Sequence, residues 1–376
     1  MTLAVLKEPE PQTLTREAVP FLDLRVPEDE RGELLVACEH VFNHGRLVNG
    51  PEVEQLEIAF AKACRRLYAV GVSSGTDALV LALRALGIGQ GDEVIVPALS
   101  FVATANAVKI VGAEPIFCDI REDLNINPSE IVRHITPKTK AIMPVHWAGR
   151  MCAVDHIAMI AKTYNLKVIE DASQAFGATF NDDPPGFRAD VACFSMNPMK
   201  TLAGLGEAGM IVTSDAKVYD RLQALRYQGV WNKEICRELS GNHRLDTIQA
   251  AMLLVRLKRF PTLLLRRRAN AALYNEYLAG SVGIPHEAPH ERLAWYTYTI
   301  SSNYRDSLKL HLERRGIETK IQHPIVMPNQ PFYKSTARGS WARAEALMKT
   351  TLCLPIHEKL TARQRDAVVD AVRSFC

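Results

Sequence analysis

Along this chain, short apolar runs alternate with longer stretches in which apolar positions recur every three or four residues. The runs Glu93–Val96, Pro115–Cys118, Ala141–Val145, Leu166–Ile169, Val191–Ser195 and Met210–Thr213 are brief and bounded by turn residues, as buried strands are. A further strand begins at Tyr68 and ends in the small-residue turn Ser73-Ser74-Gly75-Thr76. Helical spacing is predicted for 28–42, 52–66, 100–111, 129–134 and 154–164, with Pro51 near the first position of the second helix. Strands that alternate with helices over short connections form a mostly parallel sheet covered on both faces. Beyond Ser214 the pattern changes. Helices are predicted at 221–227, 245–265, 267–278, 305–315 and 362–372, with strands at 294–300 and 351–354 and a strand start at Gly316-Ile317-Glu318-Thr319. The expected organisation is an N-terminal arm (1–27), a large α/β domain (28–259) and a smaller C-terminal α+β domain (260–376).

Right-handed crossovers put the carboxyl ends of parallel strands on one edge, where open α/β sheets bind ligands. Ser74-Gly75-Thr76, Phe101, His146, Asp171 and Lys200 all collect at that edge. Each has a bland role open to it: an Asp at a strand end can cap a helix, Ser-Gly-Thr-Asp caps one without any ligand, and a Lys in a glycine-broken loop can simply be solvated. Together they suggest more. A lysine amine forms a Schiff base with pyridoxal phosphate (PLP), and an acid beside the pyridine nitrogen keeps that nitrogen protonated. Free N–H groups at a helix start suit a phosphate.

Composition narrows the field. The net charge is +3, with no basic run beyond Arg266-Arg267-Arg268, so nothing argues for nucleic acid; that triplet reads as a solvated face or a subunit contact. No stretch approaches the roughly 20 apolar residues of a membrane span. The N-terminus lacks the basic start and apolar core of a secretory signal, and its Pro and Glu content suggests a mobile arm. The 8 cysteines are scattered without metal-ligand spacing, which fits a reducing cytoplasm.

Ordered motifs carry a resemblance over nearly the whole chain. They are Pro20-Phe21-Leu22-Asp23-Leu24, Ser73-Ser74-Gly75-Thr76-Asp77-Ala78-Leu79 and Gly91-Asp92-Glu93-Val94-Ile95-Val96-Pro97. Glu170-Asp171-Ala172-Ser173-Gln174-Ala175, Phe194-Ser195 to Lys200, Asn242-His243-Arg244-Leu245-Asp246 with Gln249-Ala250-Ala251, and Gly316-Ile317-Glu318-Thr319 follow. In this order they resemble the DegT/StrS family of fold-type I, PLP-dependent sugar aminotransferases. The resemblance implies a large, mostly parallel domain with a smaller C-terminal one. It implies that Lys200 holds PLP and later shuttles a proton, while Asp171 pairs with the pyridine nitrogen. Gln174 is then expected beside the ring hydroxyl and Phe101 on the ring face, with Ser74, Gly75, Thr76 and Ser195 around the phosphate. Asn197 belongs to the same cofactor set, and Asn242 is expected to reach the phosphate of the neighbouring subunit, making a homodimer the functional unit.

The chain also departs from the family pattern. Met196-Asn197 stand where an aromatic and then His or Tyr are usual, Gln322-His323 replace His-Tyr, and Pro328 replaces a later His. These positions line the sugar side, so the substrate is less defined than the cofactor. Lys200 is retained, against relatives that remove a sugar hydroxyl and carry His there. Glu207 follows Lys200 by seven positions, as in members that act on 3-keto rather than 4-keto sugars. The implied substrates are a nucleotide-linked keto-sugar and glutamate or glutamine. A keto-cyclitol aminotransferase and a non-catalytic PLP-binding regulatory protein are the alternatives, the latter disfavoured by Lys200, Asp171 and Gln174.

Overall fold

The computed structural model describes residues 18–232 and 234–376; the greater part of the expected N-terminal arm, 1–17, lies outside the described residues. Two helices lead in, α1 (Glu28–His44) and α2 (Pro51–Ala63), the second opened by Pro51 after Gly50. The first half of the chain then alternates β1 (Tyr68–Val72), α3 (Gly75–Ala85), β2 (Glu93–Pro97), α4 (Ala103–Ile110), β3 (Glu114–Cys118), α5 (Pro128–Ile131), β4 (Thr139–Ile142), α6 (Val154–Tyr164) and β5 (Lys167–Asp171). After the short β6 (Thr179–Phe180) come β7 (Val191–Ser195), β8 (Gly209–Thr213), α7 (Ala216–Leu225) and the small ribbon β9 (Val230–Trp231) with β10 (Ile235–Cys236). The remainder is α8 (Thr247–Leu278), β11 (Glu291–Arg292), β12 (Tyr298–Ser301), α9 (Arg305–Arg314), α10 (Ala342–Thr350), β13 (Thr351–Leu354) and α11 (Ala362–Arg373).

Seven strands form one sheet in the order β1-β8-β7-β5-β4-β2-β3. Only β8 runs against its neighbours, pairing antiparallel with both β1 and β7, so the α/β, mostly parallel expectation holds. That one reversal matters for the site. Because β8 runs backwards, its start lies on the same edge as the end of β7, and the connecting residues 196–208 stay on the edge where the parallel strands finish. The sheet is buried on both faces: Val70, Ile95, Ile142, Ile169, Val191, Cys193 and Ile211 are fully enclosed. Apolar burial of this kind contributes roughly 25 cal/mol per Å2.

Four expectations change. The helices expected at 245–265 and 267–278 are one continuous helix, α8, which passes through Pro261. No glycine or cap interrupts it near Arg266, and a buried Arg267 holds its face by an ion pair to Glu358 at 3.0 Å. For the same reason the Arg266–Arg268 triplet is not a solvated face as a whole: Arg267 and Arg268 donate to the carbonyls of Trp295 and Gly177, and Arg266 alone is exposed. The strand expected at 294–300 begins only at Tyr298, because Trp295 takes a left-handed φ of 50° that ends extension. The strand start at Gly316 is reduced to single bridges, Val19 with Ile317 and Lys320 with Cys353.

A separate core cluster joins Val19, Tyr274, Tyr298, Leu308, Leu354 and Val368. Its residues come from α8 onward together with the lead-in segment. Among the described residues no helix is long and apolar enough to cross a membrane.

Candidate active site

At the strand-end edge lies a cleft of about 350 Å3 lined by Ser74, Gly75, Thr76, Phe101, Asp171, Gln174, Ser195, Asn197 and Lys200, with Tyr296, Lys320, Gln322 and His323 opposite. Every cofactor residue expected from the sequence lines it except Asn242.

The helix start comes first. Ser74 caps α3, its Oγ accepting from Asp77 N at 3.1 Å. The N–H groups of Gly75 and Thr76 lie in the first turn, where no carbonyl within the helix can receive them. A Cβ on Gly75 would fall 2.6 Å from the Cβ of Ser195, and one on Gly209 would fall 2.2 Å from the carbonyl oxygen of Ser74. Only glycine at these two points lets β7 and β8 close against the helix end. The result is a cradle of backbone N–H groups and hydroxyls with the positive end of the helix dipole beneath it.

Asp171 is the last residue of β5 and 4% exposed. Its Oδ2 accepts from Thr104 Oγ1 at 2.8 Å and its Oδ1 from Ser173 N at 3.1 Å. No cation lies within ion-pair distance of it among the described residues. A buried carboxylate held by two neutral donors, opening on a cleft, is suited to a cationic N–H from a ligand. Gln174 spends its Oε1 on Ala148 N at 2.8 Å, leaving its amide NH2 to donate. Phe101 is exposed at the mouth and offers a flat face.

Lys200 sits in the loop between β7 and β8. Asn197 shapes that loop: its carbonyl accepts from Lys200 N at 2.8 Å, its Oδ1 from Met199 N at 3.0 Å, and its Nδ2 donates to Glu207 Oε1 at 2.6 Å. Both ends of the Asn197 side chain are thus engaged within the loop. Lys200 Nζ lies 4.8 Å from the centre of the Tyr296 ring, a cation–π contact that holds it over the cleft.

Tyr296 is placed indirectly. Ala148, at φ 57°, accepts from Tyr296 N at 3.1 Å, and beside it Gly149 comes so close to Trp295 and Tyr296 that a Cβ would lie 2.9 Å from their nitrogens. Gln174, Ala148, Tyr296 and Lys200 therefore form one chain of contacts. His323 also takes a left-handed φ, 53°, and stands between Phe101 and Trp147 with ring centres 5.6 and 5.3 Å away. Burial, then the charges of Lys200 and Lys320, push its imidazole down to about 4. Behind the site His146 receives Cys152 N on Nδ1 and donates from Nε2 to buried Glu170 at 2.9 Å; it braces the sheet edge and does not line the cleft.

Asn242 is exposed and lies outside this cleft, beside the ribbon β9–β10. Its Oδ1 accepts from Arg244 Nε at 3.0 Å, and Arg244 stacks on Tyr227. Sequence reasoning missed Thr104, Ser173 and Tyr296. Thr104 and Ser173 sit one helical turn after Ser100 and two residues after Asp171, but nothing in their spacing marks them as partners of an acid.

The residues present fit PLP: a phosphate cradle, an unpaired buried carboxylate and a lysine face one cavity. The geometry is that of a fold-type I aminotransferase. Residues 28–373 match the DegT/DnrJ/EryC1/StrS aminotransferase family, and the chain belongs to it. The dTDP-3-amino-3,4,6-trideoxy-alpha-D-glucose transaminase of Streptomyces venezuelae is 40% identical over 363 residues, covering 95% of this chain and 96% of the relative. The crystal structure of S. venezuelae DesV superposes with a TM-score of 0.93 at 40% identity over 95% of this chain and 98% of that one. Bacillus subtilis NtdA, solved with bound cofactor PMP, gives 0.89 at 33% identity over 94% and 84% of the two chains. The protein is a PLP-dependent aminotransferase.

Proposed function

We propose that this enzyme moves the amino group of glutamate or glutamine to a nucleotide-linked keto-sugar, with a 3-keto hexose as acceptor. The observation that carries the reading is Lys200 and the unpaired carboxylate of Asp171 in one cleft with the Gly75 cradle. Bound PLP supplies the electron sink for carbanion chemistry. Asp171 holds a proton at the pyridine nitrogen, and Gln174 donates its amide beside the ring. The N–H groups of Gly75 and Thr76, with the hydroxyls of Ser74, Thr76 and Ser195, bind the phosphate. Lys200 Nζ takes the proton from the donor's α-carbon and, in the second half-reaction, delivers one to the sugar carbon that gains the amine. Phe101 lies against the ring face, with the His323 ring beside it.

Two features support carbon 3. Glu207 follows Lys200 by seven positions and is tied back to Asn197, and the S. venezuelae relative is named for a 3-amino sugar. The exposed Asn242, away from its own cleft, supports a homodimer in which it serves the neighbour's phosphate. Six of the cysteines are buried and unpaired, which fits a cytoplasmic setting.

The test is release of the oxo acid, 2-oxoglutarate from glutamate or 2-oxoglutaramate from glutamine, by the holoenzyme against matched nucleotide-linked 3-keto and 4-keto hexoses and a keto-cyclitol. Turnover is expected with the 3-keto sugar. Turnover with the cyclitol alone, or with none of the three, overturns the proposal.

A further inference from the structure

An amino-acid donor must bring a carboxylate into the cleft, and the wall opposite the cofactor residues holds one cation that nothing on the chain uses. The cleft is lined by two acids and two lysines. Asp171 is engaged by Thr104 and Ser173, and Glu207 by Asn197. Lys200 is committed to proton transfer. Lys320 remains: its side chain is exposed to the cleft and has no carboxylate within ion-pair distance among the described residues. Nearby arginines differ. Arg256, Arg259 and Arg267 are matched to Glu30, Glu33 and Glu358 at 2.7, 2.8 and 3.0 Å.

The backbone of Lys320 is fixed. Its N–H donates to Cys353 O at 3.1 Å and its carbonyl accepts from Cys353 N at 2.8 Å, so the residue is bolted to β13. The neighbouring Gln322 is buried and donates from Nε2 to His323 Nε2 at 3.3 Å, which puts the ring proton on Nδ1. A free ammonium carried on an anchored backbone, with the buried amide of Gln322 two residues on, makes a polar corner suited to a carboxylate.

We propose that Lys320 is the seat of a carboxylate of the amino donor, so that it governs the donor half-reaction rather than the sugar half-reaction. The proposal rests on the aminotransferase reading above and adds a substrate contact to it. The experiment uses PLP-loaded wild type, Lys320→Gln and Lys320→Arg. Titration calorimetry with glutarate, a dicarboxylate that carries no amine, reads binding without turnover. Stopped-flow absorbance with glutamate reads the donor half-reaction, and the aminated enzyme mixed with the keto-sugar reads the other. Lys320→Gln should weaken glutarate binding and lower kcat/KM for glutamate by roughly ten- to a hundredfold. Lys320→Arg should recover most of both, and the sugar half-reaction should change less than about threefold. Unchanged glutarate binding in Lys320→Gln overturns the proposal. So does a loss confined to the sugar half-reaction, which assigns the lysine to the nucleotide-linked substrate instead. If wild type converts glutamate but aminates no keto-sugar, the acceptor assignment fails and Lys320 stands. If it converts no donor at all, the functional reading fails and glutarate binding still decides Lys320.

Discussion

One wall of the cleft is made of strand ends and a helix start; the other is made of loop residues from the last third of the chain. On the first wall Ser74 and Asp171 sit in ordinary extended backbone, held by ladder hydrogen bonds and by glycines too crowded to replace. On the second, Tyr296 and His323 are aimed by the left-handed residues Ala148, Trp295 and His323 itself. Each such residue costs roughly 1–3 kcal/mol, met by the surrounding packing. The cofactor wall is therefore fixed by the fold, whereas the substrate wall is fixed by local strain. Chemistry common to a family belongs on the first, and discrimination between substrates can vary on the second.

The sharpest break of this comparison is on the cofactor wall. Lys200→Ala should lower turnover by at least about a thousandfold, since it removes both the attachment point and the proton carrier. Borohydride treatment of wild type should leave PLP on the peptide containing Lys200, as seen by mass spectrometry; the variant should bind PLP only reversibly. Label on another lysine defeats the assignment. Asp171→Asn should fold normally and lose roughly ten- to a hundredfold in kcat, the worth of one buried charge-assisted hydrogen bond. Near wild-type kcat would leave Asp171 as a strand-end cap.

A smaller effect tests whether the cofactor wall is completed by a second subunit. Mixed dimers of Lys200→Ala and Asn242→Leu chains should recover about half the wild-type activity per dimer if Asn242 acts across the interface. One site then collects both defects and the other has none. If Asn242 serves its own chain, every site keeps a defect and no activity returns.

The smallest effect lies on the substrate wall. His323 binds its proton near 4 in the folded apoenzyme, against 6.5 for the ordinary side chain. Between those values the unfolded chain holds the extra proton, so stability falls as pH drops from 6.5 toward about 4 and is level above. In urea denaturation of the apoenzyme, His323→Gln should remove roughly 1–3 kcal/mol of that acid-side loss. An identical pH slope in the variant would mean the imidazole titrates normally.

The contrast also explains what could be read from the sequence. Short apolar runs ending in Asp171, Ser195 and the Ser73–Thr76 turn give the strand-end edge directly, because strand ends and phosphate turns leave local marks. Lys200 is legible for the same reason, within a glycine-broken loop between two runs. Tyr296 is not: an apolar run from Ala294 implies an uninterrupted strand, and nothing local announces the left-handed Trp295. Thr104 lies inside an expected helix, where its hydroxyl and that of Ser100 look alike. They bond each other at 2.9 Å, and only the fold brings Asp171 onto Thr104. The continuity of α8 past Arg266 is hidden because nothing local shows that Arg267 turns inward to Glu358 and carries the helix on.

That long helix ties the fate of the two ends of the polypeptide together. Phe260 and Leu264 press on Gly177 just beyond Gln174, while Tyr274 and Leu278 lie in the core formed with Tyr298 and Val368. A fragment ending near residue 259 would stop in mid-helix, uncover the ring of Phe176 and strand the Gln174 segment without its support. Neither part is a module that recombination could exchange at that point: a graft supplying a new substrate wall must carry α8 with it from Thr247 onward.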